Sequence, residues 1–310
     1  MRSLALVLVA LAFAAAPATA LPAASVVPLI HHPLDQVDPF GVSFGGADSF
    51  SARYRAVAAQ TGRFDFPLFL ADGRDPVQQL PDPARPYEGT LEAYQVALQA
   101  RSGSMAPVSL AITATANGGN ADVELKITPR GSVELQGSSL RLFVAITEDA
   151  LHFQPPPEIS NGLTDHRFVV RRLLDAGPVN LTATTRTLTL PLESSWQQDR
   201  VAVAAWLQAG PTEGRFKPSE VLQAISAPLD GVERVQEGRG VLLELYSATW
   251  CDPCLYGDLA LEAIVVQAGA AEPLVPVRTS YWLAPDQPTL VLAASLAAGA
   301  TAFALARRRA

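Results

Sequence analysis

The sequence predicts a chain of mixed class, α/β plus all-β, in which an α/β unit is interrupted by an intervening β-sandwich. Three observations predict this architecture. An apolar strand, a Cys-x-x-Cys pair and an amphipathic helix follow one another at 240–268. Another series of strand and helix patterns lies near the front of the chain, at 26–101. Between the two, residues 106–210 alternate apolar and polar side chains in short runs, which is typical of a sandwich.

Residues 1–20 have the pattern of a secretory signal peptide. Arg2 supplies the positive charge, Leu4–Ala16 is the apolar run, and Ala-Thr-Ala at 18–20 is a small-residue cleavage site. The alternative is an uncleaved signal anchor, which the short apolar run and the small-residue exit disfavour. We therefore expect an exported chain and leave this segment out of the fold.

Two strands and two helices are predicted in the first third of the mature chain. Val26–Ile30 is an apolar run typical of a buried strand, and a serine-capped segment at 49–60 predicts a helix. A proline-led strand at 67–71 ends in an Asp-Gly turn, and Thr90–Arg101 predicts the second helix.

The central region carries about six alternating runs and no catalytic constellation. His166 stands at the start of one run, between Asp165 and Arg167, and we expect it at a turn or on the rim of the sandwich. Trp196 and Trp206 are expected to pack in the core or at an edge.

The stretch Gly240–Ala268 contains both cysteines of the chain, Cys251 and Cys254. The preceding strand and following helix place Cys251 at a helix N-terminus, where unpaired backbone N–H groups stabilise a thiolate. Cys254, one turn further on, is placed to close a disulfide. A zinc site is disfavoured because zinc needs four ligands and the four histidines lie far away with no ligand spacing. An inert structural disulfide remains an alternative.

The C-terminal end is predicted to anchor the chain in a membrane. Leu290–Ala306 is an uncharged apolar run, and Arg307, Arg308 and Arg309 follow it. At about 1.5 Å per residue the run nearly spans a hydrocarbon core of about 30 Å, and the arginines favour a cytoplasmic C-terminus. Two alternatives are a prokaryotic sorting tail, which lacks its diagnostic motif here, and a buried core helix, which would not end in three arginines.

The residues ATWCDPC after an apolar strand resemble the active site of the thioredoxin superfamily. The chain also resembles a family of prokaryotic envelope proteins, related to an outer-membrane protein, that join a thioredoxin-like part to a β-sandwich. This second similarity covers most of 26–268. It is carried by the segments VLLELYSATWCDPC, VVPLIHH with its downstream DPFG, FPLFLADG, HRFVVRRLL and VAVAAWLQ. The order differs from that family, because here the Cys-x-x-Cys segment follows the sandwich.

The resemblance implies a circular permutation of a thioredoxin-like domain around an Ig-like sandwich. Its second half would lie at the front of the chain, and Val241–Tyr246 would pair with Val26–Ile30 to complete a parallel core. Pro67 is implied to be the cis-proline that faces the dithiol. The buried acidic residue of many thioredoxins corresponds here to Leu245, while Glu244 points to the other face of the strand, so Tyr246 or water would have to move protons.

The predicted chemistry is thiol–disulfide exchange through Cys251 as attacking thiolate and Cys254 as resolving thiol. Trp250 would shield the first sulfur, and Pro253 would shape the first helical turn. Asp252 places a negative charge beside Cys251 and should raise its pKa, which favours a reductase or isomerase over a strong oxidant. The cofactor expected is the redox-active disulfide alone.

Composition limits the partners. The 310 residues are 49% hydrophobic, carry a net charge of −7 and have no basic tract outside the C-terminal end, so nucleic acid is not expected to bind. We expect exported cysteine-containing clients and a membrane or extracytoplasmic redox partner, since the chain has no second Cys-x-x-Cys. The localisation predicted is the cell surface or periplasm.

The alternative function is a surface binding or structural protein whose sandwich is the functional part and whose disulfide is a staple. A three-residue spacing gives such a staple little entropic stabilisation, which favours redox chemistry. The predicted domains are a signal peptide (1–20), the second thioredoxin-like half (21–104), the sandwich (105–228), the Cys-x-x-Cys half (229–270), a linker (271–288), a transmembrane helix (289–306) and a basic cytoplasmic tail (307–310).

Overall fold

The computed structural model describes residues 25–31, 67–73, 84–130, 139–153, 160–180, 182–210, 220–248 and 251–268. Several predicted features lie outside these ranges: the signal peptide, the predicted helix at 49–60, Trp250, the linker and the C-terminal apolar run. No helix within them is long and apolar enough to span a membrane.

Thirteen strands, two α-helices and a short 3-10 helix at Gln198–Arg200 make up the regular structure of the described ranges. The strands are β1 (Ser25–His31), β2 (Leu68–Ala71), β3 (Val108–Asn117), β4 (Asn120–Pro129), β5 (Ser139–Glu148), β6 (Leu151–His152), β7 (Asp165–His166), β8 (Val169–Pro178), β9 (Thr184–Pro191), β10 (Val201–Gly210), β11 (Val221–Pro228), β12 (Arg234–Gln236) and β13 (Gly240–Tyr246). The helices are α1 (Pro86–Ser102) and α2 (Asp252–Gln267). The predicted mixture of α/β and all-β structure is confirmed at this level.

A seven-stranded sheet, in the order β11-β10-β5-β8-β1-β13-β2, runs through the molecule. β1 and β13 pair in parallel from Ser25 opposite Gly240 to His31 opposite Tyr246, so the expected pairing of these two strands is observed. β1 also touches β8 in parallel, at Ile30 and Val169. Through this contact the strands of the sandwich and those around the cysteine segment belong to one continuous sheet.

The second sheet, in the order β12-β3-β4-β9, packs on one face of the strands β5, β10 and β11. Alternation in the sequence explains this sandwich, because Leu110, Ile112 and Val123 point inward while their neighbours point to solvent. The short strand β12, which precedes the cysteine segment, pairs with β3 and belongs to the four-stranded sheet.

The helices α1 and α2 cover one face of the β1-β13-β2 part of the seven-stranded sheet. That face presents Val241, Leu243 and Leu245 of β13 to the helices. The rings of Phe69 and Tyr94 stack with centroids 3.6 Å apart and join β2 to α1. The segment carrying the cysteines is therefore fixed on a buried strand and against a second helix.

The two ends of the seven-stranded sheet approach each other. Asp72 follows β2 at one edge, and its carbonyl accepts a hydrogen bond of 3.2 Å from the N–H of Val221, the first residue of β11 at the other edge. The Asp72 carboxylate accepts from the Leu242 N–H at 2.8 Å and pairs with the buried Arg239 guanidinium. The sheet thus curls, and its inner face buries Phe143, Trp206 and other apolar side chains.

Candidate functional site

Cys251 and Cys254 form a disulfide at the start of α2, with their Cα atoms 5.3 Å apart. Cys251 is the N-cap residue, and the Cys254 N–H donates a 3.0 Å hydrogen bond to the Cys251 carbonyl. Cys251 is 6% exposed and Cys254 is fully buried. Cys251 is thus the more exposed residue of the pair, and it lies at the positive end of the α2 dipole.

Pro253 lies in the first turn of α2, where a missing N–H costs no helical hydrogen bond. Pro67 immediately precedes β2, and it packs against the same helix. A Cβ atom built on Gly257 would be 3.4 Å from the Pro67 Cβ and 3.2 Å from the Tyr94 hydroxyl. The structure thus brings Pro67 to the helix that carries the dithiol, one turn beyond Cys254. Its role facing the dithiol stays a prediction.

A loop from the central region holds the backbone that leads into the disulfide. The Asn161 side-chain amide donates to the carbonyls of Ala248 and Cys251, each at 3.4 Å. Its carbonyl oxygen accepts from the Leu163 N–H at 3.1 Å, which fixes the loop itself. Neither Asn161 nor Leu163 was predicted as part of the site, because sequence alone gives no sign that this loop reaches the cysteines.

Asp258 is a buried carboxyl on α2, four residues after Cys254. The Ser247 hydroxyl donates a 2.8 Å hydrogen bond to its Oδ2 atom. Burial raises the pKa of the Asp258 carboxyl to about 7; the Ser247 hydrogen bond opposes this, and the nearby Glu262 charge adds to it. This residue was missed in the sequence. The available signal was a charged residue at helical spacing from Cys254, within the otherwise apolar stripe that includes Leu261.

The sequence directed attention to three neighbouring residues of β13 in connection with proton transfer. Leu245 packs in the core under α1 and α2, as its position in the strand predicted. Glu244 pairs with Leu29 and Leu70 on the opposite face and is fully buried, which confirms its predicted direction. Tyr246 shares the core on that opposite face. The suggestion that Tyr246 moves protons for the dithiol is therefore wrong, because the sheet separates its side chain from α2.

A small cleft lies between α2 and the segment at β7. Its walls include Asp258, Glu262, His166 and Phe168. Arg167 also lines the cleft and bridges its two sides, with 2.7 Å to the Asp149 carboxylate and 3.4 Å to Glu262. The partly exposed Glu262 and the buried Asp258 thus border the same cleft.

His166 is buried and not on the rim, in contrast to the expectation from sequence. Only 2% of the residue is exposed, because β7 pairs with β6 and places the ring in the cleft wall. Burial lowers the pKa of the imidazole to about 4, so His166 is neutral near pH 7.

Comparisons with known proteins give weak similarities. No protein-family model matches the chain, and no curated protein matches it. Among solved structures, HBP35 of Porphyromonas gingivalis aligns with a TM-score of 0.44 at 14% identity, over 57% of this chain and 57% of that protein. A C2 domain of the protein RIM2 aligns with a TM-score of 0.23 at 15% identity, over 44% of this chain and all of that domain. Neither similarity carries an argument about fold or function.

Proposed function

We propose that this protein is an extracytoplasmic, membrane-anchored thiol–disulfide oxidoreductase of the reductase or isomerase type, acting on exported cysteine-containing proteins. The observation that carries the proposal is the Cys251–Cys254 disulfide at the N-terminus of α2, in which Cys251 keeps a small exposed fraction and Cys254 is fully buried. This is the asymmetry that a two-step exchange needs, since one sulfur meets the client and the other stays protected.

The exchange would run through a mixed disulfide. The Cys251 thiolate attacks a client disulfide, forms a bond to one client sulfur and releases the other as a thiolate. Cys254 then attacks the Cys251 sulfur, closes the intramolecular disulfide and releases the client reduced. The electrons come from the dithiol, so a dithiol partner outside this chain must reduce it again, because the sequence holds no other cysteine.

The permutation is part of the proposal. The parallel pairing of β1 with β13 supports it, since strands from opposite ends of the chain lie side by side under the helix that carries the cysteines. Export and anchoring rest on the predicted signal peptide and apolar C-terminal run, and they place the dithiol where disulfide-bonded clients occur.

Substitution of the second cysteine tests the function. Full-length Cys254→Ser, reduced and mixed with glutathione disulfide, is expected to accumulate a mixed disulfide on Cys251 that does not resolve. Wild type is expected to pass through the same species and release two glutathione thiols. Cys251→Ser is the matched control and should form far less adduct, because the remaining thiol is buried. Equal, slow labelling of both variants would contradict the proposal.

A second candidate function is supported by the low exposure of the pair. With Cys251 only 6% exposed, the disulfide resembles a structural cross-link, and the sandwich would then be the functional part. In that case the full chain would form no mixed disulfide with glutathione even after reduction, and Cys251→Ser/Cys254→Ser would retain whatever binding the sandwich provides.

A further inference from the structure

Closing and opening a disulfide moves protons as well as electrons. When Cys254 resolves a mixed disulfide near neutral pH, its thiol must first lose a proton, because the thiolate is the nucleophile. Burial disfavours the thiolate and gives the proton no direct contact with bulk water. Cys254 is fully buried, so a nearby group has to accept its proton.

Asp258 is the carboxyl in position to do so. It lies four residues beyond Cys254 on α2, and residues at this spacing stand one above the other on the same helical face, with Cβ atoms about 5–6 Å apart. Ser247 holds the Oδ2 atom. The Oδ1 atom is buried and accepts no hydrogen bond from the part of the chain that the structure describes. One carboxyl oxygen is thus fixed, and the other is available to a thiol or a single water.

The cleft between α2 and β7 borders Asp258 on the side of the helix that also carries Glu262. Asp258 and Glu262 both line it, and Glu262 is one turn further along the same helix and partly exposed. On the opposite wall stand Asp165, the neutral His166 and Arg167. Beyond Glu262, α1 contributes the hydroxyl of Tyr87, and the Glu262 charge raises the pKa of that group together with burial.

We propose that Asp258 accepts the proton of Cys254 during resolution and passes it to solvent through the cleft lined by Glu262. This inference rests on the proposed oxidoreductase function. In the forward step the Cys254 S–H bond breaks and the proton moves to the Asp258 carboxylate. The Cys254 sulfur bonds to Cys251, the client sulfur leaves with the electron pair, and water in the cleft removes the proton from Asp258. In the reverse direction, Asp258 gives its proton to the Cys254 thiolate released from the disulfide.

The electrostatics suit a group that both accepts and donates a proton. Burial, reinforced by Glu262, raises the pKa of Asp258 to about 7, while the Ser247 hydrogen bond stabilises the carboxylate and lowers it. A carboxyl titrating near the working pH is populated in both forms, which is the condition for efficient general acid–base transfer.

The test is the rate of the second step of glutathione exchange in the full-length chain, with rapid acid quenching and mass spectrometry to separate mixed disulfide from product. In wild type the rate is expected to rise with pH through a midpoint near 7. In Asp258→Asn it should fall by about 100-fold at that pH and rise only at the higher pH at which the buried Cys254 thiol ionises without help. The first step, at Cys251, should change much less. Asp122→Asn, an exposed site in the sandwich, is the matched control and should behave as wild type.

Ser247→Ala gives a second variant that keeps the carboxyl. Removing the hydrogen bond that lowers the Asp258 pKa should move the midpoint of the pH profile upward without abolishing resolution. This prediction stands even where Asp258→Asn fails to fold. An unchanged midpoint in Ser247→Ala, or a wild-type rate and profile in Asp258→Asn, would overturn the proton-transfer role while leaving the oxidoreductase intact.

An infrared measurement separates failure of the two proposals. The reduced-minus-oxidised difference spectrum of wild type is expected to contain a change in the carboxyl C=O stretch that Asp258→Asn lacks, whether or not the protein turns over a client. Absence of that band in wild type would contradict coupling between Asp258 and the dithiol. Absence of any mixed disulfide with the band present would instead contradict the enzymatic function alone.

Discussion

His166 makes stability sensitive to acid. Burial lowers the pKa of its imidazole from 6.5 to about 4 in the folded chain, so between these values the unfolded state binds the extra proton and the folded state does not. The contribution of His166 to the free energy of unfolding should therefore be fully present above pH 6.5 and be lost progressively as the pH decreases through this window.

The variant His166→Gln should lose this part of the pH dependence. Relative to wild type it is expected to lose less stability between pH 7 and pH 4, by up to about 3 kcal/mol from the size of the pKa shift. Urea unfolding of the oxidised protein at several pH values measures it. If the free energy of unfolding of both proteins changed equally with pH, burial would not lower the His166 pKa and the prediction would be wrong.

Gly240 is required by a close backbone approach. A Cβ atom there would overlap the carbonyl oxygen of Ala224 in β11, and the Gly240 N–H donates at 2.7 Å to the Gln223 side chain. Gly240→Ala is expected to destabilise the fold by about 1–3 kcal/mol, because neither backbone can move without breaking the contact between β11 and β13. Gly238→Ala is the control, since a Cβ there would be 3.9 Å from its nearest neighbour. Equal urea midpoints for both variants would refute the steric argument.

At the scale of an element, the loop around Asn161 contacts the turn that carries the first cysteine. Its amide bonds the carbonyls of Ala248 and Cys251, so it holds the turn that enters α2. Asn161→Ala is expected to loosen this turn and increase the alkylation rate of Cys251 several-fold in the reduced protein.

Ser160→Ala is the matched control for this loop. The Ser160 hydroxyl accepts a 3.1 Å hydrogen bond from the Gly162 N–H and makes no described bond to the cysteine turn. Iodoacetamide labelling followed by peptide mapping compares the two variants. If both label at the wild-type rate, the loop does not restrict the first sulfur.

At the scale of the whole molecule, the continuous sheet predicts a single cooperative unit. β8 and β1 join the sandwich strands to β13, and the curled sheet adds the hydrogen bond from the Val221 N–H to the Asp72 carbonyl. Heating should therefore give one transition with equal calorimetric and van't Hoff enthalpies. The slowest-exchanging amides of β10 and β13 should open with the same free energy. Two separate transitions would show that the sandwich and the cysteine segment fold independently.

Local patterns in the sequence predicted the parts of this molecule that depend on neighbouring residues. Alternation predicted the sandwich strands, and the strand, cysteine pair and helix at 240–268 were predicted because each has its own local signal. The pairing of β1 with β13 was expected from the resemblance to a thioredoxin-like domain, because neither half of such a domain can bury its sheet alone. Long-range placement had no such signal. Tertiary packing, which overrides local preference, determines that β8 joins β1. It also determines that His166 is buried and that Asn161 reaches Cys251.

Asp258 shows why the candidate site was only partly predictable. A resemblance directed attention to the strand position of Leu245, where an apolar residue made proton transfer doubtful. The buried acid is present on the helix instead, and its environment depends on Ser247 and on the cleft wall from β7. The apolar stripe of α2 places Asp258 on the buried side of the helix, but the local sequence does not indicate which groups surround it there.

The central claim is that the Cys251–Cys254 pair is redox-active, and its reduction potential tests this most directly. The full-length chain, equilibrated in glutathione buffers and trapped with a thiol reagent, is expected to titrate between about −120 and −270 mV, the range of working oxidoreductases. A potential below about −300 mV would make the disulfide a structural cross-link. The function would then have to be sought in the sandwich.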